Sequence, residues 1–164
     1  MTPISQLQED VGQRLADELP KYTGGRVGWS IVTEVKGDIE NKVRLSLNKI
    51  GIGIAVFTPT WVRGDMEDRR DAQVIVSVVE TQIINMSSNG MRFPGIDLCW
   101  LISAILHGFQ PSPWAMLRFL DCKFVDGPFQ GSNHWDVTFE TSGVVMVEDA
   151  EFDEKPIEQE PLSK

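Results

Sequence analysis

The sequence is poor in the residues that usually carry chemistry. Its 164 residues include two cysteines, two histidines and one tyrosine. Cys99, Cys122, His107 and His134 are too few and too scattered for a zinc site, whose ligands come in closely spaced pairs. Neither cysteine has a histidine near it in sequence to serve as an activating base. The phosphate cradle G-x-x-x-x-G-K-S/T is absent. No lysine–arginine cluster is present to track a phosphate backbone or an anionic membrane surface. No apolar run reaches the roughly 18 residues that a membrane-crossing helix requires. The N-terminal stretch lacks the basic and apolar regions of a secretion signal, so the cysteines are expected to be reduced core residues of a cytoplasmic protein. These absences together lead to the expectation of a protein with no catalytic residues, no metal and no cofactor.

What is present is an ordinary amount of core-forming material, 41% hydrophobic residues against 24% charged, which suits one domain of this length. The net charge of −9 is unevenly spread. Residues 148–164 hold seven acids against two lysines, which leaves −5 in that short stretch. Its low apolar content and its prolines predict a flexible acidic tail over 149–164, following a domain over 1–148.

Hydrophobic spacing predicts the elements. Ile4, Leu7, Val11, Leu15 and Leu19 form one stripe at intervals of three and four, a helix over 3–19 capped by Thr2 and stopped by Pro20 and the Gly24–Gly25 pair. A short extended segment over 29–35 precedes a helix over 39–49, with Asp38 as its cap and Gly51 as its stop. Residues 52–62 and 72–84 read as strands, the second covered on both faces because Val74, Val76 and Val78 alternate with Ile75 and Val79. Pro59 places the end of the first of these at a sheet edge. Residues 85–90 form a polar turn in which the strand pattern ends. A helix over 96–107 is apolar on most sides, so it is expected either in the core or at a subunit interface. Strands over 116–125, with a bulge, and over 134–147 complete the order. The fold class expected is α+β, a mixed or antiparallel sheet of four to five strands packed by two to three helices.

The positive signals concern contact rather than catalysis. Arg63, Asp65, Glu67, Asp68, Arg69, Arg70 and Asp71 make a dense charged loop. It reads either as a solvated ionic loop, in which mutual pairing contributes little, or as a docking loop, in which charge selects the partner. Trp61 beside this loop and Trp114 after Gln110-Pro-Ser-Pro113 sit at segment margins, where large aromatics serve as core rims or as interface anchors.

Several stretches resemble one family. They are Arg70-Asp71-x-x-Val74-x-Val76-x-Val78-x-Glu80, Ile83-Ile84-Asn85, Phe93-Pro94-Gly95-Ile96-Asp97-Leu98 opening a helix that closes with Leu106-x-Gly108, and Trp135-Asp136-Val137-Thr138-Phe139-Glu140. In that order they resemble the tail-terminator, or tail-completion, proteins of tailed bacteriophages, nearest to the Mu-like contractile type. The resemblance spans about residues 1–148. It implies a structural virion subunit, assembled in the host cytoplasm, that closes into a hexameric ring on the head-proximal end of the tail. Its implied partners are copies of itself, the tail tube protein, the neck or connector and the sheath, with DNA passing through the lumen unbound. Six copies would gather about 30 negative tail charges, which would keep passing DNA from adhering. A different head–tail joining protein, or a small phage-encoded module acting on a host protein, remains as an alternative.

Overall fold

The computed structural model describes residues 1–25, 31–66, 68–87 and 93–144. Trp29, Glu67, the end of the expected last strand and the acidic tail lie outside the described residues.

Helix α1 (Pro3–Thr23) starts as its sequence dictates, with Thr2 Oγ1 accepting the Ser5 amide at 3.2 Å and Pro3 in the first turn. It continues past Pro20, which was expected to stop it. Pro20 has no amide to donate to the Ala16 carbonyl, so the helix runs on with that one bond missing. The stop is Gly24, at φ 62°, whose amide returns to the Pro20 carbonyl. Leu7, Val11, Leu15 and Leu19 form the fully buried stripe.

Strand β1 (Ile31–Thr33) is shorter than the extended segment expected, because Glu34–Lys36 turn into a 3-10 helix. Helix α2 (Ile39–Ile50) begins after Asp38, but that side chain makes no capping bond. Its φ of 52° places it in the left-handed region, and it caps through its carbonyl, which accepts the Lys42 amide at 3.1 Å. Gly51, at φ 77°, ends α2 where only glycine fits, since a Cβ there would lie 2.4 Å from the Asn85 nitrogen.

Strands β2 (Ile52–Arg63) and β3 (Arg69–Glu80) form a long antiparallel hairpin whose loop is shorter than the charged segment suggested. Arg69, Arg70 and Asp71 belong to β3 itself. Strand β3 stops at Glu80 rather than at 84, and Gln82–Ser87 form the short helix α3. The turn is fixed from outside, by the Thr81 amide donating to the Gly51 carbonyl at 2.8 Å. The buried Glu80 carboxylate secures it, accepting from Asn85 Nδ2 at 2.7 Å and from the Gly95 amide at 3.2 Å. Helix α4 (Gly95–Leu106), strand β4 (Arg118–Phe124) and strand β5 (Asn133–Val144) follow. The expected bulge in β4 lies between Phe119 and Asp121. His134, the expected start of the last strand, is the second residue of β5.

The fold is α+β. The strands run β1-β2-β3-β5-β4, antiparallel except for β1 beside β2, with β3 at the centre. Helices α1 and α4 cover one face, burying Ile54, Val56, Val74, Val76, Val78, Val137 and Phe139 in the main core. Helix α2 covers the other face only over β2 and the end of β3, where Val43 and Leu47 meet Ala55 and Val79. The approach is close because Gly53 has no side chain, and a Cβ there would sit 2.8 Å from Val43 Cγ1. Among the described residues no helix is long and apolar enough to cross a membrane.

Candidate interaction surfaces

The β2–β3 hairpin carries most of the side chains picked out in the sequence. Register places Arg63 directly opposite Arg70, and Val62 opposite Asp71. Two like charges facing each other across strands oppose pairing, so this end of the hairpin is held by other groups. Arg69 supplies several of them. Its guanidinium reaches Ser142 Oγ at 2.9 Å, Asp65 at 3.3 Å and Asp71 at 3.7 Å, which ties the loop to β5. Gly64 closes the turn, its amide donating to the Arg69 carbonyl at 2.9 Å. The Arg69 carbonyl also accepts from Arg70 Nη1 at 2.9 Å. Asp65 and Asp68 are exposed, and Glu67 lies outside the described residues. Along this hairpin Trp61 (54%), Val62 and Met66 are exposed apolar side chains.

Trp61 stands beside the start of α1, in a shallow hollow of about 540 Å³ shared with Thr2, Pro3, Ile4, Gln8 and Val35. Trp114 corrects the sequence reading, since it is 1% exposed and cannot anchor a partner. Its indole Nε1 donates to the Pro3 carbonyl at 3.2 Å, and its ring packs on Gly143, where an added Cβ would lie 3.0 Å away. The strand-like bridge between Trp114 and Gly143 pulls the proline-rich connection inward.

A second surface lies at the other end of α1. Tyr22 of α1 and Trp100 of α4 (70% exposed) border a groove of about 590 Å³ that also holds Ile105 and Phe109. Arg14 lies over the Phe109 ring at 5.5 Å, a cation–π contact that fixes one wall. The groove was not singled out in the sequence, although its signal was there. Helix α4 is apolar on faces that α1 and the sheet do not cover, so Ile96 and Trp100 are left in solvent.

No family model and no curated protein matches the chain. Among solved structures, a chain from the virion of a native gene transfer agent (GTA) particle matches with a TM-score of 0.57 and 16% identity, covering 84% of this chain and 93% of that one. The two chains share a fold. At that coverage the likeness to the gene transfer agent chain is one of whole domains rather than of a single motif.

His134 Nε2 lies 3.1 Å from Asp136 Oδ1, and Ser77 Oγ donates to the same oxygen at 2.5 Å. The His134 hydrogen bond, helped by Ser77, holds the Asp136 carboxyl below its ordinary range against the opposing effect of burial. His107 follows α4, and its Nδ1 accepts the Phe119 amide at 3.2 Å. Cys99 is buried in the core as expected, whereas Cys122 is exposed on β4 because that strand is outermost in the sheet. Burial pushes both thiols up, Cys99 strongly.

Proposed function

We propose that this protein is a structural virion subunit that works by contact, without catalysis, and closes into a hexameric ring that caps the head-proximal end of a tail tube. The observation that carries the reading is the fold it shares with a virion chain. The two apolar surfaces give it a physical basis. A cyclic ring needs head-to-tail contacts, in which two different patches on one chain complement each other. Helix α1 has 21 residues and is about 30 Å long at 1.5 Å per residue. It carries the Trp61 surface at its start and the Tyr22–Trp100 surface at its end. Patches of different shape at opposite ends of a rigid rod suit neighbours that meet edge to edge around a circle. In this reading the hairpin with Arg63, Arg69 and Arg70 faces the tube or the neighbouring subunit. The tail tube protein, neck and sheath are then its partners, and DNA passes through the lumen.

Mass photometry of the purified protein, alone and with tail tubes, tests this. The expected result is hexamers, or monomers that assemble only on tube ends. Failure to bind tube ends would count against the tube-capping role. Localising the chain by density in the intact particle separates a tube cap from another head–tail joining role. Exchanging both Arg69 and Arg70 for glutamate is expected to abolish assembly. Assembly that survived this reversal would remove the hairpin from the interface.

A further inference from the structure

The chain has two cysteines, and both lie where α4 passes over β4. Two contacts fix how that helix runs. At its start Gly95 touches Trp135, since a Cβ on Gly95 would lie 2.6 Å from Trp135 Cζ3. Trp135 is the β5 partner of Phe124 and packs edge-on against it at 5.8 Å between ring centroids. Just beyond its end His107 holds the Phe119 amide. Helix α4 therefore travels along β4 from the Phe124 end to the Phe119 end. Cys99 lies one turn past Gly95, about 6 Å along the helix. Cys122 lies two residues back from Phe124, about 7 Å along the strand. The two steps match. Cys122 is also opposite Val137, a fully buried residue of the face that α4 covers, so its side chain points at the helix. Each thiol lies near enough to act on the other's proton.

We propose that Cys99 and Cys122 are a cross-linking pair, reduced in the structure, that closes into an intramolecular disulfide when a small disulfide such as oxidised glutathione is available, stapling α4 to the outer strand β4. The exposed Cys122 is the entry point. Its thiol gives up a proton to solvent and the thiolate attacks one glutathione sulfur, forming a mixed disulfide and releasing one glutathione thiolate. Cys99 then loses its proton to solvent and attacks the Cys122 sulfur, forming the protein disulfide and releasing the second glutathione thiolate. Two protein thiols are oxidised and one glutathione disulfide is reduced to two thiols. The bond closes the whole connection between α4 and β4, including the segment that buries Trp114. Loops of this length gain stability from closure. The inference rests on the packing of α4 and does not depend on the ring.

The test uses the full-length protein incubated with oxidised glutathione and then analysed by intact mass, by thiol labelling after unfolding, and by thermal melting. The expected product is monomeric, lighter by two hydrogen atoms and without free thiols, with a Tm raised by about 5–10 °C that dithiothreitol reverses. Cys122→Ser, at an exposed position, is expected to remove the mass change and the shift while leaving the reduced Tm unaltered. Cys99→Ala, which keeps the core apolar, should leave a glutathione adduct on Cys122. A lasting adduct on Cys122 of the unaltered chain, a disulfide between two chains, or no reaction would each overturn the proposal.

Discussion

Trp114, open in the sequence between core rim and interface anchor and placed by the structure in the core, offers a decisive measurement. Replacing Trp114 by alanine removes a ring that is 1% exposed. Large-to-small changes of this kind cost about 3–5 kcal/mol. Loss of the indole bond to the Pro3 carbonyl adds about 1 kcal/mol. The total, about 4–6 kcal/mol, is a large part of the 5–15 kcal/mol that holds a typical domain together. At about 2–4 °C per kcal/mol for a chain of this size, Tm should fall by about 10–20 °C. Trp114→Phe keeps most of the ring and should cost about 1–2 kcal/mol, mainly the hydrogen bond. Trp61→Ala, at 54% exposure, should change stability by less than about 1 kcal/mol while weakening assembly. Urea and thermal unfolding followed by circular dichroism would measure all three. The reasoning fails if Trp114→Ala melts within about 2 °C of the parent, or if Trp61→Ala is the more damaging change to the isolated chain.

Val76 lies on the central strand between Val56 and Val137, all three fully buried. Val76→Asp would put an unpaired carboxylate into that layer and should prevent folding, seen as insolubility or loss of the cooperative transition; a soluble, cooperatively melting variant would deny β3 its central place. Asp136 titrates below its ordinary range in the folded chain. Its stabilising effect is therefore complete above the unfolded carboxyl value near 3.9 and is lost as pH falls through the lower folded value. Stability measured by urea unfolding from about pH 5 downward should thus decline less steeply for Asp136→Asn than for the parent, and equal slopes would refute the assignment.

Elements set by their own residues were legible in the sequence. The stripe from Leu7 to Leu19 and the alternation of Val74, Val76 and Val78 each carry a period that only one kind of backbone can bury. Where distant groups intervene, the sequence misleads. Ile83 and Ile84 read as a continuation of β3, but the Gly51 carbonyl and the Glu80 carboxylate draw the chain into α3 instead. Asp38 is a good cap by residue type, yet its left-handed backbone leaves that task to its carbonyl. Trp114 lies among prolines and polar residues that mark a surface loop, and its hydrogen-bond acceptor, Pro3, is 111 residues away in sequence. The exposed apolar and charged surfaces were half legible for the same reason. Trp61 and the arginines stand out by composition, whereas the Tyr22–Trp100 groove exists only because α1 and α4 pack side by side.

The outermost strand has one more consequence. A sheet that ends in seven extended residues invites another strand to add on. Here the invitation is withdrawn at one end, where the bulge breaks the ladder and the His107 imidazole occupies the Phe119 amide. The strand is thereby blunted against runaway stacking. A protein with so extended an outer strand must avoid seeding a filament of its own, and here a bulge and a ring nitrogen guard the edge where that would begin.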